Sequence, residues 1–366
     1  MNGESPMLLI GVGTAGCAIA RGICRAFGGD MRCLLADTDA ASGEAGGSFV
    51  LLGGDRLSGR GAGGDIVAGR LAAEGSIKMI DEHVEGVRLA VIVTALGGGT
   101  GGGATLEAAK HLGELGIPSV VFATTPFTFE GDDRQRNSRG VMTMIEDAAN
   151  ATFFLPLDKL IGDTDNMADA LRRAVDVVAG GVTLFWRLVE KPGYIRLDTE
   201  RLRHMLAGAG RGRFATVTVQ GPGRADEAVD LILRSEMLSV SSAPVRATLC
   251  GILAGDDLLL SEVGRIADGV RSAFGGHTFD LATVNDEATF SGRLSVVVML
   301  FEAGMRNDGE EKPGSVMSGQ RRRHKGGVLG VGPTGRGRFK NAEPTIWRDE
   351  DLDVPTFIRK NLNLDF

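Results

Sequence analysis

A run of glycines between a buried strand and a helix constrains this chain more than any other feature. The run Gly97–Gly103 follows the apolar stretch 89–96 and precedes the helical pattern 105–112. Glycine lets the backbone curl so that several N–H groups point inward, and the dipole of the following helix adds positive potential. The run therefore predicts a phosphate site. A flexible linker is the alternative, but linkers rarely separate a buried strand from a helix.

The composition excludes several classes of protein. A chain of 366 residues exceeds one ordinary core, which predicts two domains plus tails. The net charge of −7 argues against a nucleic-acid partner. Four cysteines without a CxxC pair indicate reduced thiols. There is no basic leader and no apolar run of the roughly 18 residues that a bilayer crossing needs. We therefore expect a cytoplasmic protein without direct membrane insertion.

Strands and helices alternate along the first half of the chain. This order predicts an α/β fold with a Rossmann-like parallel sheet and helices on both faces. Ligands in such sheets bind at the carboxyl ends of the strands, and the glycine-rich and Asp-rich segments follow those ends. The predicted strands are 7–10, 33–36, 89–96, 119–124 and 153–155, and the first predicted helices are 17–27 and 66–74.

A long helical pattern over 166–190 leads into a second, smaller α/β unit over 213–302. The pair Gly180-Gly181 costs the helix about 1 kcal/mol per glycine relative to alanine. A close approach of helix and sheet would explain this cost, and a kink is the alternative. The second unit has predicted strands at 214–219, 247–253, 278–285 and 294–301, and predicted helices at 225–237 and 258–273.

Apolar periodicity ends after residue 303, which predicts a disordered linker. Its basic cluster Arg321–Lys325 is interpreted as a solvated charge run, with contact to anionic lipid or nucleic acid as the alternative. The segment 349–360 then has an acidic start, an apolar middle and a basic end. Such a segment behind a linker is typical of a tethered peptide that folds onto a partner.

The first glycine loop has two interpretations. Gly11–Gly16 matches G-x-G-x-x-G after a strand, and Asp37 and Asp39 lie about 20 residues further on, which is the dinucleotide fingerprint. That interpretation predicts a Rossmann oxidoreductase. It leaves two further glycine segments, 61–64 and 97–103, without a role. Three backbone cradles suit the longer polyphosphate of a mononucleotide better.

Taken together, these motifs resemble the tubulin/FtsZ superfamily, and within it the bacterial cell-division branch. Gly97–Ala104 looks like the signature GGGTGTGAAP, and Gly11–Gly16 resembles the first phosphate loop. The further similar segments are Leu57–Gly64 (γ-phosphate loop), Thr125–Gly131 with Arg134 (KPFxFEG), Leu155–Leu160 (IPNDKL) and Asp351–Lys360 (the C-terminal peptide).

The resemblance implies a GTP- and GDP-binding protein, with Mg²⁺, that polymerises head to tail at the division site. Nucleotide would lie between subunits, and the loop after the central helix would orient the attacking water. The C-terminal peptide would bind a membrane-anchor protein of the FtsA type. The implied domains are 1–190 (GTPase domain with the central helix), 191–303 (C-terminal α/β domain), 304–348 (linker) and 349–366 (partner-binding peptide).

The resemblance also assigns site residues. The catalytic candidates are Asp198, Glu200 and Arg201. The nucleotide-binding candidates are Gly11, Gly13, Thr14, Ala15, Gly16, Cys17, Asp37, Gly61, Ala62, Gly63, Gly97, Gly98, Gly99, Thr100, Gly101, Gly102, Glu130, Arg134, Leu157 and Val175. The partner-binding candidates are Asp353, Pro355, Phe357, Ile358 and Arg359.

Several of these positions depart from the family pattern. The base-reading polar residues are replaced at Cys17, Asp37, Leu157 and Val175, and an unpaired base edge costs about 1–3 kcal/mol per group. Arg201 stands where the family has a second Asp. It could stabilise phosphate charge as arginine fingers do, or simply pair with a neighbouring acid. A filament scaffold with little or no hydrolysis is therefore the alternative to a GTPase.

Overall fold

The structure is a computed structural model that describes residues 5–27, 31–44, 47–160, 166–191, 193–239, 243–275 and 278–303, and the backbone of 346–347 and 350–351. Two compact units divide the chain after Lys312. The second contributes two described strands, Ile346–Trp347 and Glu350–Asp351, which pair antiparallel. The predicted linker 304–348, apart from Ile346–Trp347, and the partner-binding residues lie outside the described residues.

The first unit is built on one ten-stranded sheet, in the order β3-β2-β1-β4-β5-β6-β7-β10-β8-β9. Strands β1 to β7 and the β8–β9 pair are parallel, and β10 runs antiparallel to both of its neighbours. The strands are Met7–Val12 (β1), Arg32–Asp37 (β2), Ser48–Leu51 (β3), Leu89–Ala95 (β4), Ser119–Thr125 (β5), Ala151–Pro156 (β6), Ala209–Gln220 (β7), Val245–Ala254 (β8), Thr278–Asn285 (β9) and Arg293–Ala303 (β10).

Ten helices connect these strands within the described residues. They are Gly13–Phe27 (α1), Gly54–Leu57 (α2), Ile66–Ser76 (α3), Gly99–Glu114 (α4), Asp132–Ala148 (α5), Met167–Glu190 (α6), Thr199–Leu206 (α7), Arg224–Leu233 (α8), Leu260–Phe274 (α9) and Glu287–Phe290 (α10). None of the described helices is both long and apolar enough to cross a membrane.

Both faces of the sheet are covered, as the alternating pattern predicts. Helices α1, α6 and α7 pack on one face, in a core that reaches from β1 to β10. On the opposite face, α4 and α5 pack over the first half of the sheet, and α8 and α9 over the second half. The alternation within β1 shows the division: Met7 and Leu9 face one core, and Leu8 and Ile10 the other.

The long helix α6 is unbroken, so its glycines serve packing. A Cβ atom on Gly181 would lie 2.2 Å from a ring carbon of Phe214 on β7. The close approach of helix and sheet is therefore confirmed, and the kink is not observed. Buried Arg187 fixes the end of α6 by donating to Asp286 at 2.7 Å.

The two halves of the sheet meet at a short seam. β6 and β7 pair at two positions, Thr152 with Arg211 and Phe153 with Gly212. By contrast, β10 pairs with β7 at ten positions. The seam separates the strands of the predicted GTPase domain from those of the C-terminal α/β domain, although both belong to one sheet.

Candidate functional site

A cavity of about 360 Å³ opens where the strand order reverses between β1 and β4. Because α1 covers one face and α4 the other, the carboxyl ends of these strands leave a crevice, which is where open α/β sheets bind ligands. Its lining residues are Val12, Gly13, Thr14, Ala15, Asp37, Asp39, Arg60, Gly61, Ala62, Gly63, Gly64, Ala95, Leu96, Gly98, Gly99, Thr100, Gly101 and Arg134. The three predicted glycine segments therefore converge on one cavity.

Two helices begin at this cavity. Gly98 is the N-cap of α4 and makes no side-chain hydrogen bond to the helix, and neither helix has an acidic residue in its first turn. Gly13 starts α1 at φ +74, and a Cβ there would lie 3.2 Å from the backbone nitrogen of Gly101. Uncapped N–H groups of two helix ends thus share one cavity, an arrangement that attracts anions.

The glycine run itself is helical, whereas the sequence predicts a loop before a helix at 105. Helix α4 begins at Gly99 because its first turns are surrounded by backbone. A Cβ on Gly101 would lie 2.1 Å from the carbonyl oxygen of Ala95, and one on Gly103 would lie 2.5 Å from that of Ile66. These glycines therefore serve close packing as well as the cradle.

The third wall is the segment 58–64, which curls through left-handed conformations. Gly61, Gly63 and Gly64 have φ of +79, +58 and +83. Asn137 on α5 donates to the carbonyl oxygens of Gly64 at 3.0 Å and Gly97 at 3.3 Å. This one amide links two of the glycine segments, and the sequence analysis missed it because a lone Asn in a polar helix carries no pattern.

Asp37 is buried at the end of β2, and its carboxylate already accepts hydrogen bonds from neighbouring residues of the chain. Its carboxylate accepts from the hydroxyls of Thr14 at 2.9 Å and Ser42 at 2.6 Å, and from the backbone N–H of Thr38 at 2.7 Å. These bonds brace the first phosphate loop against β2. The carboxylate has correspondingly less capacity left to read a base.

Cys17 lies beneath the cavity and does not line it. Its side chain is fully buried, and its thiol points to the carbonyl oxygen of Gly11 at 3.4 Å. Burial, reinforced by the negative charge of Asp37, raises the pKa of the Cys17 thiol to about 12. The thiol is therefore protonated and unreactive at neutral pH.

The cavity wall carries two arginines. Arg134 is held by Glu130 through an ion pair of 2.7 Å, so Glu130 positions the guanidinium without lining the cavity. Arg60 is exposed beside Asp39 and was part of the γ-phosphate motif, although it was not among the predicted site residues.

The other predicted nucleotide-binding residues do not line the cavity; they pack behind it or in the neighbouring core. Gly16 packs so closely on β4 that a Cβ would lie 2.5 Å from the carbonyl oxygen of Val93, and Gly102 faces Val141 on α5. Gly11 is buried on β1 and Gly97 is buried beside Arg134. Leu157 and Val175 pack in the core on the α6 face and present no polar group.

The predicted catalytic residues lie on the other side of the sheet from the cradle, at the amino ends of the strands. Glu200 lines a cavity of about 480 Å³ together with Met7, Leu89 and Pro118, at the amino ends of β1, β4 and β5. Six residues of β1 span about 20 Å, so one chain cannot bring Glu200 to its own glycine cradle.

All three of these residues have partners within the chain. Asp198 caps α7 by accepting from the backbone N–H of Arg201 at 2.9 Å. Arg201 Nε lies 3.0 Å from the buried Asp280 Oδ1, while the arginine side chain stays 63% exposed. Glu200 is exposed, and its nearest cation is Arg203 at 3.9 Å. The predicted pairing of Arg201 with a neighbouring acid is observed.

The described residues contain no group of three or more His, Cys, Asp or Glu side chains that could hold a metal ion. Mg²⁺ bound with a nucleotide usually needs less, since phosphate oxygens and waters supply most of its ligands. Asp39 in the cavity wall is a carboxylate of the kind that completes such a set.

Comparison with known proteins agrees with this architecture. The family model described as the Tubulin/FtsZ family, GTPase domain, matches residues 6–165. The cell division protein FtsZ of Pseudomonas aeruginosa is 30% identical over 343 residues, which cover 91% of this chain and 82% of that protein. FtsZ of Pseudomonas putida is 28% identical over 363 residues, covering 97% of this chain and 89% of that protein.

Solved structures share the fold. An empty FtsZ dimer from M. jannaschii has a TM-score of 0.75 at 22% identity and covers 85% of this chain and 96% of that one. CetZ2 from Haloferax volcanii, in a GTPγS-bound protofilament, has a TM-score of 0.70 at 23% identity, covering 82% and 94%. These matches favour the mononucleotide interpretation of the first glycine loop over the dinucleotide one.

Proposed function

The chain belongs to the tubulin/FtsZ family, and from this premise we propose that it is a GTP-binding cytoskeletal protein of cell division. In this proposal it polymerises head to tail into filaments of the division ring in the cytoplasm. GTP binds in the cradle between β1 and β4, and hydrolysis takes place where two subunits meet.

One observation carries the proposal: the glycine cradle and the candidate catalytic residues lie at opposite ends of the parallel strands. The phosphate cradle lies at the carboxyl ends of β1, β2 and β4, and Glu200 lies at the amino ends of β1, β4 and β5. Two such half-sites in one chain are complete only when a second copy stacks on the first. A contact between unlike surfaces repeats without closing, and so it builds a filament.

The proposed chemistry follows from the groups present. Backbone N–H groups at the starts of α1 and α4 bind the phosphates, with Arg60 and Arg134 at the wall adding positive charge. Mg²⁺ held by the phosphates and Asp39 would neutralise charge that develops on the leaving phosphate. Glu200 of the next subunit, which is exposed and pairs with Arg203 only at 3.9 Å, would orient water, and the exposed guanidinium of Arg201 would meet the phosphate.

Sedimentation with GTP, GDP, ATP or no nucleotide, with phosphate release measured in parallel, tests this function. The expected result is pelleting that depends on GTP, together with phosphate release that rises with polymer. Soluble chains in every condition, or phosphate release unrelated to polymer, would overturn it.

A second candidate is a filament scaffold that binds nucleotide and hydrolyses it slowly or not at all. Two of the candidate catalytic residues favour it, because their side chains already have partners in the chain. Asp198 caps α7, and Arg201 stands in place of a carboxylate and pairs with Asp280. Pelleting without phosphate release would identify the scaffold.

We also propose that the segment 349–366 binds a membrane-anchor protein of the FtsA type, through Asp353, Pro355, Phe357, Ile358 and Arg359. This binding would bring filaments to the membrane at the division site. Deleting residues 349–366 should leave polymerisation intact and abolish anchor binding. Unchanged anchor affinity would show that the tether lies elsewhere.

A further inference from the structure

A second cavity, of about 360 Å³, opens on the sheet face opposite α6, and it shares no lining residue with the glycine cradle. Its floor is the seam of the sheet, with Phe154 of β6, Arg211 and Arg213 of β7, and Glu302 of β10. Its walls are α5 and the turn 236–239 that follows α8. The cavity exists because the helices over the first half of the sheet and those over the second half do not meet there.

Four cationic side chains line this cavity: Arg139, Lys159, Arg211 and Arg213. Two of them are fixed by carboxylates. Arg213 Nε donates to the buried Glu302 at 2.7 Å, and Arg211 Nε donates to Glu146 at 2.7 Å. Guanidinium groups held in this way are already oriented, so they lose little side-chain freedom when an anion binds.

The other two cations have no carboxylate partner within the described residues. Arg139 is exposed on α5, and Lys159 contacts only the hydroxyl of Ser239, at 3.4 Å. Three carboxylates stand against the four cations: Glu302 is paired with Arg213, Glu146 is paired with Arg211, and Glu236 lines the cavity. The cavity therefore carries a net positive charge that the chain does not neutralise.

The lining is apolar as well as basic. Met142, Phe154 and Met237 border the cavity, and the guanidinium of Arg211 lies 5.4 Å from the centre of the Phe154 ring. The wall also contains Ser138, which is 2% exposed and whose hydroxyl has no hydrogen-bond partner among the described residues. Inorganic ions would use the charges alone, whereas an organic anion would use the apolar surface too.

We propose that this cavity is a binding site for a small organic anion, a phosphate monoester or a carboxylate on a short flat body. The anion lies between Arg139 and Lys159, and its apolar part packs against Phe154 and the two methionines. The site is separate from the nucleotide cavity and goes beyond the proposed function. It bridges α5 to the second half of the sheet.

Calorimetric titration of the full chain, saturated with GDP so that the glycine cradle is filled, tests the site. The probes are phenyl phosphate, phenylacetate, inorganic phosphate and the neutral benzyl alcohol. Phenyl phosphate or phenylacetate should bind, and the tighter of the two identifies the anionic group. Inorganic phosphate should bind more weakly, and benzyl alcohol should not bind.

The informative variant combines Arg139→Gln and Lys159→Gln, since both side chains are exposed and neither holds the fold together. It should lose about tenfold or more in affinity for the organic anion. Arg136→Gln is the matched control, an exposed arginine of the same helix that does not line the cavity, and it should bind as the parent does. Absence of binding by both organic anions, or unchanged affinity in the double variant, would overturn the proposal.

Discussion

Gly98 is the residue at which the glycine cradle can be blocked without disturbing the fold. It lines the cavity, its φ of −90 suits any residue, and a Cβ there would meet no atom within 4 Å. We expect Gly98→Val to reduce GTP affinity at least about tenfold, because the branched side chain would occupy the space that phosphate needs. Fluorescent-nucleotide binding measures the effect.

Gly113→Val is the control for this prediction, since Gly113 also has open space around it but lies on α4 outside the cavity. GTP affinity should be unchanged there. Gly101 is less suited to the test, because its Cβ would lie 2.1 Å from the carbonyl oxygen of Ala95 and the fold would have to shift. Parental affinity in Gly98→Val would remove the phosphate role from this cavity.

Arg201 decides between the two candidate functions. Its Nε pairs with Asp280 while most of the side chain stays exposed, so that the guanidinium can also meet the phosphates of a neighbouring subunit. We expect Arg201→Ala to lower phosphate release per filament subunit about tenfold or more, as loss of an arginine that stabilises transition-state charge does. The GTP affinity of the monomer should not change, since Arg201 lies at the amino ends of the strands and the cradle lies at their carboxyl ends.

Arg234→Ala is the control, because Arg234 is an exposed arginine directly after α8 that lines neither the cavity of Glu200 nor the glycine cradle. It should leave phosphate release near the parental rate. Should Arg201→Ala release phosphate as fast as the parent, Arg201 is a structural partner of Asp280 and the scaffold with slow turnover gains support.

Residue identities in the cradle were the most predictable part of the site. Backbone cradles need glycine, and six glycines of the predicted segments line the cavity: Gly13, Gly61, Gly63, Gly98, Gly99 and Gly101. The side chains were less predictable. Asp37 faces inward to Thr14 and Ser42, and no local pattern reveals which neighbours a carboxylate will find.

At the scale of elements, α5 holds the cradle together through Asn137. Its amide bridges the carbonyl oxygens of Gly64 and Gly97, at 3.0 and 3.3 Å. We expect Asn137→Ala to lower GTP affinity about tenfold, because the two glycine segments lose their common brace. The melting temperature should change little, since Asn137 is only half-buried and its bond to Gly64 is exposed to solvent.

Arg136→Ala, on the exposed side of the same helix, controls for general effects on α5 and should leave GTP affinity unchanged. If Asn137→Ala binds GTP as tightly as the parent does, the bridge does not shape the site.

The packing of α8 on α9 depends on pH through Glu262. Buried Arg224 donates to Glu262 at 2.7 and 3.0 Å and to Asp257 at 2.7 Å. Hydrogen bonding from Arg224 lowers the pKa of Glu262 from its ordinary value of 4.5, against the opposing effect of burial. The carboxylate therefore stabilises the fold fully above pH 4.5, and this contribution is lost as pH falls through the lowered pKa.

We therefore expect Glu262→Gln to reduce the free energy of unfolding by roughly 2 kcal/mol at neutral pH. The difference from the parent should shrink as the solution is acidified below the folded pKa. Urea unfolding at a series of pH values measures both quantities. A difference that is constant with pH would contradict the role of the ionised carboxylate.

Element types were largely predictable, and their boundaries were not. Strands β1, β2 and β4 follow from their apolar runs, whereas α5 was missed because its first turns, 132–137, are polar throughout. Helix α4 begins six residues before the predicted 105, since tertiary packing of α3 against α4 overrides the low helix propensity of glycine. The loop predicted after the central helix likewise becomes helical at Thr199, where Asp198 provides the cap.

For the whole molecule, the position of the half-sites predicts complementation between two inactive variants. Gly98→Val keeps Arg201, and Arg201→Ala keeps an intact cradle. Mixed at equal concentration, they should form contacts in which one variant supplies the cradle and the other supplies the arginine. Phosphate release should return to at most about one quarter of the parental rate, the share of such contacts in random head-to-tail order.

The control is the double variant Gly98→Val with Arg201→Ala, which should rescue neither single variant. Phosphate release from the mixture equal to the sum of the separate variants would show that each chain is a complete enzyme, and the head-to-tail proposal would fail.

The overall architecture was predictable to the level of a parallel sheet with helices on both faces and a ligand site at the carboxyl ends of its strands. The join between the halves was not. Nothing local in β6 or β7 indicates that they pair at only two positions, Thr152 with Arg211 and Phe153 with Gly212, to make one sheet of ten strands. Such pairing depends on contacts between residues far apart in sequence.

The short β6–β7 seam determines where the sheet is weakest when the subunit is pulled. A load carried across the strands falls first on the two residue pairs between β6 and β7, because the neighbouring junction of β7 with β10 has ten. The two halves of the sheet are then joined by few backbone hydrogen bonds, and α6 connects them by packing on strands of both halves. Force on this molecule is therefore expected to separate strands β7 to β10 from β1 to β6 before it unravels either half.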